Sequence, residues 1–547
     1  MMFSGGPFLK FYDKDSGVLK LMTVENVLKD RDCFFSFLND GMSRLYLHLE
    51  DNIKLDLNYK YDDGNYPLLF AVLNNNTEVV KFIIDYAKKR DILLEINDKN
   101  EDGMFPLLKA VDYKNIHIAK MILNYAKENN ITLTMNETYR GEFYPVLLAI
   151  ERKDNEMLKL LCDYATENNI ILDINKKHYD GIYSFYNAVL GKKSELVKTL
   201  IDYAENNNII LEINEPFMHE LTPLAVSINL ENDEIFKLIF EYAEKHHIPL
   251  DINSTDENGY YILYKAVLCQ QVYEVKYIME YAKKHNINLI IDEKDHEYYN
   301  TPFYAAVMLN SYEIAKLLID YAKENNIELT LNDQNKNNYN PLLNAMNNND
   351  VKMTKLILEY ASEKNIPLEV NAKTDCGDTA LMKATFNKNI DLVKLLVDYA
   401  TKNHTLLNIN DCSDNGYTPL IGISANAIEM FNVIKDYANA NDIILDINQK
   451  GDDDIIPLMF AIIKKNVDVV KAYINYATSK NIILQLNEKD LQNDIKNEYK
   501  NSYNSISEIS LEIIKLLYQG QQDKVLAITF SDQSELSERF KEISESL

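Results

Sequence analysis

The sequence predicts an all-α fold, a helical repeat solenoid with short β-hairpin fingers, and three recurring features support this. The tripeptide Asp/Glu/Asn-Tyr-Ala occurs eleven times, a proline recurs in phase with it, and an alternating apolar stretch follows it. Self-similarity at a period of about 20–50 residues is typical of a repeat array. Each unit of such an array packs only on its neighbours, so a chain of 547 residues need not form several globular cores.

The tripeptide sets the repeat length at 39 residues, apart from one spacing of 40 and one of 38. Eleven copies in nearly constant register exclude chance. A proline stands about nineteen residues before most of these tyrosines, and Ser184, Ile262 and Ala380 take its place in three repeats. Because the tyrosines follow the repeat phase, we predict that they pack between helices. They are Tyr86, Tyr125, Tyr164, Tyr203, Tyr242, Tyr281, Tyr321, Tyr360, Tyr399, Tyr437 and Tyr476.

Each repeat divides into a turn, two helices and an extended segment. In the first repeat, Gly64 permits the positive φ of a turn, and Pro67 suits the first helical position, where no N–H partner is needed. Apolar residues fill 68–72, and a second apolar stripe with helical spacing occupies 79–84. The alternation over 92–96 then predicts a short strand.

This order of elements resembles the ankyrin repeat family. The family pattern G-x-T-P-L-H-x-A matches residues 416–420 and, more loosely, 64–71, and the family's V-V-x-x-L-L matches 79–84. The resemblance covers about residues 60–487. It implies an ankyrin-type solenoid in which the fingers and first helices form a concave face that binds a partner.

The repeat is longer than the family's, which has about 33 residues. The extra residues follow the apolar pairs of the second helix, where the family has a helix-stopping glycine and this chain has Ala87 and its equivalents. Since alanine favours a helix over glycine by about 1 kcal/mol, the second helix should continue. It should end near residue types that tolerate a left-handed C-cap. These are Asn130, Asn169, Asn208, His247, Asn286, Asn326 and Asn365.

The residue before the proline also departs from the family. The family's N-cap threonine survives as Thr222, Thr301, Thr379 and Thr418, and aromatic residues replace it mainly in the first half. Aromatic side chains are enriched in binding hot spots, so these rings are candidate partner-binding residues, although packing between repeats is the preferred interpretation. They are Tyr66, Phe105, Tyr144, Tyr183 and Tyr261.

The ends of the chain should cap the stack. Residues 1–59 are expected to form an N-terminal capping segment, and residues 60–487 the eleven repeats. Residues 488–547 are expected to form a C-terminal cap and an acidic tail. A solenoid needs such caps because its terminal repeats would otherwise expose apolar faces.

The net charge of −27 argues against nucleic acid and anionic lipid as partners, because both are bound by clustered Lys and Arg. The five cysteines are scattered without CxxC spacing, which favours a reducing compartment. Lys10 and Asp13 interrupt any apolar run at the N-terminus, so no signal peptide is expected. We therefore expect a cytoplasmic monomer, with the nucleus as the alternative location.

No catalytic, cofactor or metal site is expected. Residues 98–103 and 411–416 imitate the start of a calcium loop, but the twelfth position holds Lys109 or Gly422 instead of a bidentate Glu. Plain turns are the preferred interpretation. His246, His247 and His285 stand near the ends of consecutive second helices, where a metal would still need a fixed third ligand.

These features predict a protein–protein interaction scaffold that binds its partner on the concave face. The alternative is an adaptor or effector subunit that recruits a second partner or an enzyme through its terminal segments. An enzyme is disfavoured because the repeats leave only about sixty residues at each end, and motifs for nucleotide binding or hydrolysis are missing from the sequence.

Overall fold

The computed structural model of the chain describes residues 8–12, 19–23, 56–139, 143–177, 181–216, 221–424, 428–451, 455–491, 509–531 and 534–546. The chain divides into two compact units, Met1–Asp251 and Ile252–Leu547. Among the described residues, no helix is long and apolar enough to cross a membrane.

The first unit contains five helix pairs in its described residues, with a two-stranded antiparallel sheet near the N-terminus. Most of the predicted N-terminal capping segment, 1–59, lies outside the described residues. The elements are β1 (Phe8–Tyr12), β2 (Leu19–Thr23), α1 (Pro67–Leu73), α2 (Thr77–Lys89), α3 (Pro106–Asp112), α4 (Ile116–Glu128), α5 (Pro145–Glu151), α6 (Asn155–Glu167), α7 (Ser184–Leu190), α8 (Ser194–Asn206), α9 (Pro223–Asn229) and α10 (Asp233–Lys245).

The second unit contains six further helix pairs in its described residues, followed by a terminal group of two helices and two strands. The pairs are α11 (Ile262–Leu268), α12 (Val272–Lys284), α13 (Pro302–Met308), α14 (Tyr312–Glu324), α15 (Pro341–Asn347), α16 (Val351–Lys364), α17 (Ala380–Phe386), α18 (Ile390–Lys402), α19 (Pro419–Ser424), α20 (Ile428–Ala440), α21 (Pro457–Ile463) and α22 (Val467–Lys480). The terminal group is β3 (Leu484–Asn487), α23 (Leu511–Gln522), β4 (Leu526–Thr529) and α24 (Glu535–Ser546).

The first helix of each pair begins as the sequence predicts. Pro67 occupies the first position of α1, and the Thr222 and Thr301 hydroxyls accept hydrogen bonds from the N–H three residues on. Gly64, in the turn before α1, has φ of +73°. A Cβ at Gly64 would lie 2.9 Å from the backbone nitrogen of Glu101 in the next finger. Both the positive φ and this lack of space therefore require glycine in the turn.

The second helices continue past the alanine, as predicted. Each of the eleven second helices in the described residues is followed by a residue in the left-handed conformation, and seven of these residues are the ones named from the sequence. Asn130, for example, has φ of +55°, and Asn365 has φ of +56°. The additional residues of the long repeat therefore extend the second helix and close it with a left-handed cap.

The tyrosines of the tripeptide join neighbouring repeats by hydrogen bonds as well as by packing. The Tyr125 hydroxyl accepts from the Leu94 N–H at 3.0 Å and donates to the Ile92 carbonyl at 3.0 Å, both in the preceding repeat. This satisfies the backbone of the extended segment in a place where it has no strand partner. Both bonds are also made by Tyr203 and Tyr242 in the first unit, and by Tyr360, Tyr399 and Tyr437 in the second.

The extended segments alternate as predicted, but most are not strands. Leu94 and Ile96 are buried and Leu93 is exposed, yet 92–96 has no strand partner. Instead, Nδ2 of Asn58 donates to the Leu93 carbonyl at 2.8 Å, and its Oδ1 accepts from the Glu95 N–H at 3.1 Å. One asparagine side chain thus spans the gap that a backbone ladder would close. The expectation of a strand in every repeat was wrong because side chains join these segments.

We call such a pair of bonds an asparagine rung. In every complete rung, the accepting carbonyl belongs to the residue two positions before the donating N–H. The rungs are made by Asn58, Asn97, Asn136 and Asn175 in the first unit, and by Asn253, Asn332, Asn371, Asn410 and Asn448 in the second.

The C-terminal group packs on the last repeat. Strands β3 and β4 pair in parallel, and the fully buried Glu488 carboxylate accepts from the backbone N–H groups of Ser531 and Leu536, each at 2.9 Å. The acidic end of the chain was expected to be a tail, but 535–546 is helix α24. Phe540 of this helix is buried, because the apolar residues of the acidic sequence follow helical spacing.

Candidate protein-binding surface

The five aromatic residues predicted to bind a partner lie immediately before first helices, and the structure buries all of them. Each is at most 1% exposed. The Tyr66 hydroxyl donates to the Asp98 carbonyl at 3.1 Å, and the Tyr183 hydroxyl donates to the Glu215 carbonyl at 2.8 Å. The rings therefore fill the gap between one repeat and the finger of the next.

Burial corrects the prediction that Tyr66, Phe105, Tyr144, Tyr183 and Tyr261 form the apolar centre of the binding site. In this conformation a partner cannot touch them, and they have the packing role that the sequence left open. Burial also raises the pKa of the Tyr144 hydroxyl to about 12, so it stays protonated beside the Ser184 hydroxyl at 2.8 Å. The exposed side chains of the fingers and first helices are therefore other residues.

A longer turn interrupts the series of fingers in the second unit. The single 40-residue spacing between repeats places an extra residue here. The Asp295 N–H donates to the carbonyl of Asn300, five residues on, whereas in the preceding finger the Asp256 N–H donates to the carbonyl of Tyr260, four residues on. We call residues 295–300 the tyrosine turn. Its Tyr299 has φ of +60°, in the slot that glycine fills in six other repeats.

The tyrosine turn presents two aromatic rings to solvent. Tyr298 is 48% exposed and Tyr299 is 51% exposed. The Tyr298 carbonyl accepts from the Lys336 N–H at 3.1 Å, and the Lys336 ammonium lies 5.1 Å from the centre of the Tyr299 ring. The next finger therefore holds the backbone of the turn while the rings remain accessible.

A buried carboxylate organises this turn. Asp295 is 1% exposed, and its Oδ1 accepts from the Glu297 N–H while its Oδ2 accepts from the Asn300 N–H. The Tyr264 hydroxyl, on helix α11, donates to the same Oδ2 at 2.7 Å. Burial, followed by the bond to Asp295, raises the pKa of Tyr264, so the hydroxyl remains a donor. The backbone that carries the two exposed rings is therefore held in place by hydrogen bonds to the buried Asp295 carboxylate.

The left-handed conformation of Tyr299 is costly. For an L-residue with a bulky side chain it costs about 1–2 kcal/mol, and such strain persists where the surrounding structure imposes it, often at functional sites. One signal in the sequence could have revealed this turn, because the single 40-residue spacing coincides with a finger without glycine. The exposure of the two rings could not be read from that spacing.

A second aromatic pair lies on the same side of the repeats. Phe386, at the end of helix α17, and Tyr417, three fingers after the tyrosine turn, pack edge to face with ring centres 5.1 Å apart. Both rings are partly exposed. The first unit also exposes a ring at the end of a first helix, Tyr113 after α3, which is 41% exposed.

The segments that imitate calcium loops are turns with engaged side chains. The Asp98 carboxylate pairs with the Lys60 ammonium, and the Asn100 side chain accepts from the Met104 N–H at 2.8 Å. The Asp411 carboxylate pairs with Lys373 at 3.1 Å. Among the described residues there is no group of three or more His, Cys, Asp or Glu arranged to hold a metal ion.

The histidines near helix ends have partners of their own. His246 lies 2.9 Å from a Glu205 carboxylate oxygen, and its ring stacks on Tyr242 in the first unit. His285 stacks on Tyr281 in the second unit, with ring centres 4.2 Å apart. Both occupy C-cap positions of second helices.

Comparison with known proteins finds one family model that matches two parts of the chain. A family model described as ankyrin repeats matches residues 33–135 and 325–406, in three copies. A solved structure of the ankyrin repeat domain of Bcl-3, a member of the IkappaB protein family, is similar at 18% identity with a TM-score of 0.34. The similarity covers 47% of this chain and 99% of that one. No curated protein matches the chain.

Proposed function

Since the chain carries ankyrin repeats, we propose that it is a scaffold that binds a partner protein through the face formed by its fingers and first helices. Ankyrin repeats generally mediate protein–protein interaction, and the ankyrin repeat family is a family of non-enzymatic interaction scaffolds. The observation that carries the proposal is the tyrosine turn, where Tyr298 and Tyr299 are half exposed on a strained backbone. We propose that these two rings are its principal contact residues.

The chemistry of these rings suits a protein interface. Tyrosine supplies a large apolar area and a hydroxyl at a low entropic cost, and it is enriched among the residues that dominate binding energy. The outer surfaces of the second helices carry ion pairs such as Lys127–Glu167 at 2.8 Å, and the fingers carry similar pairs such as Lys177–Glu215 at 2.6 Å. Exposed pairs of this kind contribute little binding energy.

The charge of the chain supports a protein partner over nucleic acid or anionic lipid. A net charge of −27 repels phosphates, whereas a protein with a basic surface would be attracted. As part of the same proposal, we place the chain in the cytoplasm or nucleus as a monomer.

The test is a double substitution at the tyrosine turn, Tyr298→Ala with Tyr299→Gly. Truncation of a central aromatic contact costs about 2 kcal/mol or more, so we expect at least about a thirtyfold loss of affinity for the partner captured by the full chain. The fold should survive, because Gly259 and Gly377 occupy the same slot with φ of +78° and +76°. The change Tyr299→Gly relieves the strain of the left-handed conformation but adds conformational entropy to the unfolded chain. These two effects on the free energy of unfolding should cancel to within about 1 kcal/mol.

The matched control is Tyr312→Ala at the start of helix α14, where the ring is 38% exposed but belongs to a second helix. We expect this variant to bind as the unchanged chain does. Equal binding by the double variant, as measured by titration calorimetry, would refute the proposed contact. Equal binding would leave the adaptor that recruits a second partner through its terminal segments as the alternative.

A further inference from the structure

One position in the series of asparagine rungs carries an aspartate. Asp292 stands 39 residues after Asn253 and 40 residues before Asn332, both of which make complete rungs. The Thr330 N–H donates to Oδ2 of Asp292 at 2.9 Å, as the Ile290 N–H donates to Oδ1 of Asn253 at 3.0 Å. Half of the rung is therefore in place.

The other half needs a hydrogen that an ionised aspartate does not have. Nδ2 of Asn253 donates to the Asn288 carbonyl at 2.8 Å, and Nδ2 of Asn332 donates to the Pro367 carbonyl at 2.7 Å. By the common register of the rungs, the corresponding carbonyl for Asp292 is that of Glu328. Oδ1 of Asp292 is buried, and among the described residues it has no hydrogen-bond partner.

We propose that this rung is a pH-sensitive joint between two neighbouring repeats of the second unit. When the Asp292 carboxyl is protonated, it donates to the Glu328 carbonyl and completes the rung as an asparagine would. When it is ionised, Oδ1 of Asp292 and the Glu328 carbonyl oxygen are both acceptors and cannot bond each other. The extended segment around Thr330 then separates more readily from Asp292. The inference concerns the stability of the chain and does not depend on what the chain binds.

The groups around Asp292 leave its charge poorly compensated. Lys294, on the same segment, is the nearby cation, but it also pairs with Asp333 at 2.6 Å, and Asp333 opposes ionisation of Asp292. Tyr261 and Tyr360 contribute neutral hydroxyls, because burial raises the pKa of both. Burial raises the pKa of Asp292 to about 6, against the opposing effects of the Thr330 bonds and Lys294.

The direction of the pH effect follows from that shift. An unfolded aspartate titrates near its ordinary value of 3.8, whereas the folded one titrates at about 6. The folded state therefore binds the proton more tightly, and stability at this joint is lost as the pH rises from about 4 to about 6. Since one pKa unit is a factor of ten, the equilibrium for local opening changes about a hundredfold in total, of which about tenfold falls between pH 5 and pH 7.5.

Hydrogen exchange of the full chain, followed by mass spectrometry and corrected for intrinsic rates, measures this opening. In the unchanged chain, protection of the peptide containing 327–331 should fall about tenfold from pH 5 to pH 7.5. In Asp292→Asn, protection should be high and independent of pH. In the converse variant Asn332→Asp, the segment that contains Glu369 should acquire the same pH dependence, because Asn332 bonds the Glu369 N–H at 2.9 Å.

Two outcomes would overturn the proposal. Parallel pH profiles for the unchanged chain and Asp292→Asn would show that Asp292 is not the titrating group. Faster exchange in Asp292→Asn at every pH would show that the joint depends on the carboxylate itself. Both variants differ from their parent by one isosteric exchange, so failure to fold is not expected to obscure the result.

Discussion

Replacement of Tyr144 and Tyr183 by alanine is expected to destabilise the first unit severely while leaving the fingers of the second unit unchanged. Both rings are fully buried between repeats, and truncation of a buried aromatic residue costs about 3–5 kcal/mol. The Tyr144 hydroxyl bonds Ser184, the neighbour of Tyr183, so the two losses should not be strictly additive. Urea denaturation followed by circular dichroism gives the measurement.

The conservative pair Tyr144→Phe and Tyr183→Phe is the control for this prediction. It keeps both rings and removes the hydroxyls, which should cost only about 1 kcal/mol for each lost hydrogen bond. The opposite pattern, stable alanine variants that no longer bind a partner, would return these rings to the contact surface that the sequence suggested.

Deletion of residues 488–547 is expected to have the second large effect, the loss of soluble, cooperatively folded chain. Leu484 and Leu486 of β3 are buried against the C-terminal group, and strand β3 would lose its only partner among the described residues, β4. An exposed apolar face and an open strand edge favour association between chains. Light scattering during thermal unfolding should therefore show aggregation at a lower temperature than for the full chain.

Deletion of one internal repeat is the control for the cap. Removal of residues 341–379 takes out 39 residues and joins Asn340 to Ala380, which preserves the repeat phase. A stack held by contacts between nearest neighbours should tolerate this change. If the internal deletion unfolds the chain and the terminal deletion does not, the C-terminal group is not a cap.

The sequence predicted those features that depend on local chemistry. Glycine at positive φ, proline at the first helical position and a left-handed residue after the second helix are each set by a single residue type. Gly64, Pro67 and Asn130 all have the predicted roles. The repeat phase then placed the helix pairs, because one correct unit determines all the others.

The sequence did not predict the asparagine rungs or the inward orientation of the aromatic rings, because both depend on the distance between neighbouring repeats. The alternation over 92–96 is the same for a paired strand and for a segment bridged by Asn58, so the pattern could not separate them. In the same way, an aromatic residue before a first helix can point out of the stack or into the next finger. Tyr66 points inward because the Asp98 carbonyl is within reach of its hydroxyl.

The tyrosine turn and the Asp292 joint are both departures of a single repeat from the common pattern. In a repeat protein, the residue that breaks the pattern is more informative about function than the residues that follow it, since the stack itself needs only the pattern. Tyr299 takes the place of a glycine, and Asp292 takes the place of an asparagine. Both changes carry a cost in stability that packing does not require.

The binding face is tested most directly by hydrogen exchange of the full chain with and without its captured partner. We predict that the partner slows exchange in the tyrosine turn, 295–300, and in the fingers on either side, 256–261 and 335–340, while the second helices α12 and α14 exchange at the same rate as before. Slowing confined to the second helices or to residues 509–546, with the fingers unaffected, would contradict the proposed binding face.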